Sequence, residues 1–186
     1  MKNLILFCFC IIFAACSTLT PQKSPAYVAK GEMYHKTGNF KKALKEYNKA
    51  VQSDPYNIDA YAGRGALLYD IAEYDKALED FDLVLKADPS RAEIYSAIGA
   101  ALASKELFVP AREHLLKSIE INPYNAQAYA SLCGVYYSTS NYQAAIEACD
   151  KAINIRPDKA LYVLRGANHE ALGDSVAAQK DYDFAK

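Results

Sequence analysis

Five cysteines and three histidines are the side chains of this 186-residue chain best suited to nucleophilic or metal chemistry. The histidines, His35, His114 and His169, stand far apart, with no HExxH spacing to put two of them on one helix face. Cys8 and Cys10 lie in an apolar N-terminal stretch, Cys16 just after it, and Cys133 and Cys149 remote from both. There is no CxxC pair and no Gly-rich phosphate loop. Carboxylates are scattered beside lysines, as in Lys41, Lys42, Lys45 and Glu46, in the manner of solvated helix faces. No catalytic constellation, cofactor site or metal site is therefore expected, and no enzyme. Net charge is −1, and no block of like charge stands out. A nucleic-acid partner, which calls for a clustered basic face, is not expected either. What remains is recognition by a surface, and a repeat sets that surface.

From Ser24 onward a pattern returns every 34 residues. A small residue recurs at Gly31, Gly65, Gly99, Cys133 and Gly166, and an alanine twelve residues later at Ala43, Ala77, Ala111, Ala145 and Ala178. A tyrosine precedes each small residue by four, at Tyr27, Tyr61, Tyr95, Tyr129 and Tyr162. Prolines close the first four repeats at Pro55, Pro89, Pro123 and Pro157. A fixed period of this length marks a solenoid.

Within each repeat, large side chains fall at helical spacing, as in Tyr27, Lys30, Tyr34 and then Phe40, Leu44, Tyr47, Val51. Two amphipathic helices per repeat follow, with Gly31 letting them approach at Tyr47. Ser24-Pro25 reads as an N-cap and a first-turn proline, and Asn57 and Asn125 as caps of later helices. Asp54-Pro55, Asp88-Pro89 and Asn122-Pro123 end second helices, because proline disfavours helix in the residue before it. One helix pair cannot bury its own apolar face, so stability must come from stacking.

These positions resemble the tetratricopeptide repeat (TPR) family. With Gly31 as position 8 of the motif, the repeats run 24–57, 58–91, 92–125, 126–158 and 159–186, covering 163 residues. Departures are local: Cys133 for glycine, Ser175 for the aromatic seen at Phe40, and His169 for a large apolar residue. The resemblance implies an all-α TPR solenoid, a right-handed superhelix of ten helices whose last repeat is truncated.

The N-terminus carries a second signal. Lys2 precedes an apolar run from Leu4 to Ala15, about 12 residues against the roughly 20 that span a bilayer. Residues 1–15 therefore read as a secretory signal peptide. Phe13-Ala14-Ala15-Cys16-Ser17 resembles the lipobox of bacterial lipoproteins, with Phe13 departing from the usual leucine or valine. That resemblance implies acylation of Cys16 and a tether over 16–23; ordinary cleavage after Cys16 or Ser17 and a retained anchor are the alternatives. Ser17, not aspartate, follows the cysteine, which by resemblance points to the periplasmic face of an outer membrane.

An exported chain can hold disulfides. Cys133 and Cys149 take positions 8 and 24 of one repeat, which face each other across the helix pair. Two buried thiols and a disulfide are both compatible with that placement. In the TPR family, first helices line the concave groove through positions 2, 5, 9, 12 and 13. Here those positions include Val28, Glu32, Ala62, Ala66, Tyr69, Ser96, Ala100, Ala103, Ala130, Gly134 and Tyr137. The groove is thus expected to be a floor of small residues with Tyr69 and Tyr137 protruding. The lysine and asparagine of the clamp that binds chaperone C-terminal tails are absent from it. A helix or extended apolar segment of another envelope protein is the expected guest; self-association stays open. The family reading is a membrane-anchored adaptor in the cell envelope, with a pilotin-like assembly factor for an outer-membrane oligomer as the alternative.

Overall fold

The structure, a computed structural model, describes residues 23–186. The expected signal peptide, Cys16 and the expected tether as far as Gln22 lie outside the described residues. Among the described residues are ten helices and no strand: α1 Ser24–Lys36, α2 Phe40–Ser53, α3 Ile58–Asp70, α4 Tyr74–Ala87, α5 Ala92–Ser104, α6 Phe108–Ile121, α7 Ala126–Ser138, α8 Tyr142–Ile155, α9 Lys159–Ala171 and α10 Ser175–Phe184. None of these is long and apolar enough to cross a membrane.

Two turn types alternate. Inside each repeat one residue adopts the left-handed conformation: Gly38, Ala72, Glu106, Ser140 and Gly173, with φ between 59° and 83°. Around Gly38 the amide of Asn39 donates to the Tyr34 carbonyl and that of Gly38 to His35, a Schellman closure that satisfies carbonyls at the helix end. The same pair of bonds recurs at Leu107 to Leu102 and at Asn141 to Tyr136. Between repeats, Asp54, Asp88, Asn122 and Arg156 leave the helix in extended backbone, each just before its proline. Asn57 and Asn125 then cap α3 and α7 by accepting from backbone amides.

Ser24 departs from its expected role as a cap. It is the first helical residue, fully buried, and its hydroxyl donates to the Ala50 carbonyl at 3.0 Å. Asn57 Nδ2 in turn donates to Ser24 Oγ at 2.8 Å. The mirror arrangement occurs at Ser118, whose hydroxyl donates to the Ala92 carbonyl and accepts from Asn125 Nδ2. A first-helix start is thereby tied to the end of its own repeat's second helix. The capping asparagine of the next repeat locks the pair.

The chain forms two compact units, Met1–Ile71 and Ala72–Lys186. In the first, Val28, Ala43, Tyr47, Ala50, Ala60 and Leu67 make a continuous core. A Cβ on Gly31 would stand 2.7 Å from the Tyr47 ring, and one on Gly63 2.5 Å from it. Tyr47 therefore fits only because both helices that face it carry glycine. In the second unit, a Cβ on Gly99 would meet Leu115 at 2.5 Å and one on Gly166 would meet Tyr182 at 2.7 Å. Cys133 and Cys149 are joined by a disulfide within that unit's core, in one buried cluster with Leu132 and Ala148.

Candidate partner-binding surface

Curvature within the second unit follows from which helices touch. Consecutive first helices are in contact, α5 with α7 and α7 with α9, whereas the second helices α4, α6, α8 and α10 do not touch one another. The first-helix side is therefore the inside of the curve, and residues there face a shared hollow.

Five of the expected groove residues sit on that side and reach solvent. Ala100, Ala103, Ala130 and Gly134 are half-buried, and Tyr137 is 41 % exposed. A Cβ added at Gly134 would meet nothing within 4 Å. Unlike Gly99 or Gly166, Gly134 serves no packing contact; it leaves the floor open. The Tyr137 ring lies 6.0 Å from that of Tyr142, which steadies it at the edge of α7. Nearby, the Tyr182 hydroxyl donates to Glu170 at 2.8 Å, and the carboxylate holds that phenol above its ordinary pKa. The hollow of this unit thus offers the Tyr137 ring beside small residues, while the Tyr182 ring packs between α9 and α10 against Gly166.

In the first unit, Glu32 and Ala66 are exposed and Ala62 and Tyr69 half-buried. His35 Nε2 lies 2.7 Å from Asp70 Oδ2, joining the ends of α1 and α3 across the first-helix face. Burial pushes the Tyr47 phenol up to about 12, and the charge of Glu32 adds to the shift.

Two expected groove residues are corrected. Val28 is 8 % exposed and belongs to the core of the first unit, because its side chain points between α1 and α2. Ser96 is 3 % exposed; its hydroxyl donates to the Glu93 carbonyl and accepts from Asn125. Both are spent on the fold and have no surface to offer. Sequence reasoning also missed Glu170 and Tyr182. Their pairing across α9 and α10 could have been sought from the acid at position 12 and the phenol at position 24. Among the described residues no group of three or more His, Cys, Asp or Glu could hold a metal ion.

Models of the tetratricopeptide repeat match residues 31–71, 63–126 and 126–159, together more than half of the chain. The chain belongs to the tetratricopeptide-repeat family. No curated protein matches it in sequence. Among solved structures, a crystal structure of MamA protein is 28 % identical over 88 % of this chain and 90 % of its own, with a TM-score of 0.71. The Pseudomonas aeruginosa pilF structure is 21 % identical over 88 % of this chain and 75 % of its own, at a TM-score of 0.78. A tetratricopeptide repeat protein from Parabacteroides merdae is 22 % identical over 89 % and 65 %, at 0.75. The latter two likenesses speak for the fold alone. Proteins built of these repeats serve as scaffolds for protein–protein interaction.

Proposed function

We propose that this TPR chain is a lipid-anchored adaptor of the bacterial cell envelope, holding an apolar helix or extended segment of another envelope protein against its first helices. The observation that carries the binding side of this reading is the open space over Gly134 on α7, edged by the exposed ring of Tyr137. Small residues let a guest backbone come close, and a tyrosine supplies large contact area at low entropic cost. Interface energy concentrates in such side chains, so Tyr137→Ala should weaken binding by about 2 kcal/mol or more. Tyr69, at the same repeat position in the first unit, is expected to act likewise. What supports the anchor is the Phe13–Ser17 sequence and the short apolar run before it.

A photo-crosslinker placed at Gly134, where an added side chain meets open space, tests the binding side in living cells. It should capture a discrete partner, lost on Tyr137→Ala, while the same group at the exposed position Glu113 on α6 captures none. Equal capture at both positions, or a collapse of the melting temperature in Tyr137→Ala, would remove the groove from the account. Labelling with a fatty-acid analogue, compared between the natural chain and Cys16→Ser, tests the anchor separately. Loss of a secretin-like oligomer in a deletion strain would instead mark a dedicated assembly factor.

A further inference from the structure

The near-zero net charge of the chain conceals a local imbalance. The described part of the first unit has eight Lys and Arg against five Asp and Glu, while the second unit has twelve against seventeen. Much of the excess lies on one helix. On α2, Lys41, Lys42, Lys45 and Lys49 follow one another at intervals that place them within an arc of about 100°. Asn48 and Gln52 extend that arc without adding a carboxylate. Ala43, Tyr47 and Ala50 occupy the opposite, buried side. Lys41, Lys42 and Lys45 are exposed; Lys42 lies over the Tyr34 ring and Lys49 pairs with Glu46.

No other second helix presents such a face. The equivalent residues are Asp75, Lys76, Glu79, Asp82, Leu83 and Lys86 on α4, and Val109, Pro110, Glu113, Leu116, Lys117 and Glu120 on α6. On α8 they are Gln143, Ala144, Glu147, Asp150, Lys151 and Asn154. Each of these faces sums to −1 where α2 sums to +4. The difference is therefore not a property of the repeat.

We infer that the lysine face of α2 rests on an anionic phospholipid surface. This inference rests on the proposed anchor at Cys16, which stands eight residues before α1. Fully extended, eight residues reach about 28 Å, so a lipid at Cys16 keeps the first repeat within a few Debye lengths of the headgroups. A face that exposes Lys41, Lys42 and Lys45 beside the ion-paired Lys49 is drawn to such a surface, each exposed lysine contributing about a fivefold gain in partition. One acyl-bearing residue holds the chain near the membrane; the α2 face gives the first unit a side that turns toward it.

The test uses the mature chain from Ser17 onward, which carries every described residue and no acyl group, so a failure of the anchor does not affect it. The chain is mixed at low salt with phosphatidylcholine vesicles, with or without about one-third phosphatidylglycerol, and sedimented. Binding is expected only to the anionic vesicles, falling steeply as salt shortens the Debye length. Lys41→Gln with Lys42→Gln and Lys45→Gln should lower it about a hundredfold at an unchanged melting temperature, whereas arginine at the same three positions should preserve it. No partition into anionic vesicles at low salt, or a glutamine variant that binds as well as the natural chain, would overturn the inference. So would retention by a polyglutamate peptide without vesicle binding, which would assign the face to an acidic protein.

Discussion

Reducing the Cys133–Cys149 bridge should destabilise the chain by about 3 kcal/mol. The two cysteines are 16 residues apart in sequence, and closing a loop of that size removes about this much unfolded-state entropy in the chain-entropy model. In a protein of this size 1 kcal/mol moves the melting midpoint by roughly 2–4 °C, so reductant should lower it by about 6–12 °C. Both cysteines are fully buried among Leu132, Ala145 and Ala148, so helix content should survive and only the midpoint should move. Cys133→Ala with Cys149→Ala should melt within a few degrees of the reduced natural chain and ignore reductant. Thermal melts with and without reductant provide the assay, and alkylation of denatured, unreduced protein gives an independent one. A midpoint indifferent to reductant, or full alkylation without it, would refute the reasoning, because the loop would then not be closed.

Arg165 donates to both oxygens of Asp181, which is almost fully buried, and also to the half-buried Asp150. Arg165→Met should cost about 3–5 kcal/mol in urea unfolding by stranding the Asp181 charge, and adding Asp181→Leu should recover most of it; additive losses would refute the pairing. Because Tyr47 must stay neutral up to about 12 in the fold but ionises near its ordinary value of 10 when unfolded, its contribution is intact below pH 10 and is lost as pH rises from 10 to 12. That loss is about 2–3 kcal/mol, and Tyr47→Phe should flatten the alkaline limb of the stability curve. Glu106 holds φ at 60° in an exposed turn, so Glu106→Gly should raise stability by about 0.5–1 kcal/mol, the left-handed cost relieved less the backbone entropy added; a lower melting temperature would contradict it.

Much of the fold was legible because the period repeats its own grammar. Proline after an extended residue, asparagine at two caps, and glycine opposite tyrosine each recur where a helix must stop, start or close. The Gly31–Tyr47 approach was readable from one repeat; the second glycine under the same ring, Gly63, was not, since it sits at position 6 and belongs to the neighbouring repeat. The opposite trade is made around the bridge, where the small Cys149 is matched by the large Leu164 packed on its cluster. Such exchanges of volume between repeats are invisible to a pattern read one repeat at a time. Val28 and Ser96 were misplaced for a related reason. A motif position fixes a residue's place along a helix to within a turn, but the tilt of α1 against α2, or a hydroxyl claimed by Asn125, decides whether it faces solvent. Tyr56 and Tyr124 stand exposed in turns whose amides donate to the side chains of Asp54 and Asn122. The two states of Cys133 and Cys149 were equally compatible with their spacing, and only the helix-to-helix distance separates them.

Gly134 has an implication for how such chains change. Its neighbour Cys133 is fixed by the bridge, and Gly99 and Gly166 are fixed by the rings and branches lying against them. Gly134 answers to none of these, so side chains of many kinds could be written there without disturbing the helix stack. The repeat keeps its grammar in one set of letters and its vocabulary in another. A library varied at Gly134 should yield folded proteins at high frequency, differing in whom they hold.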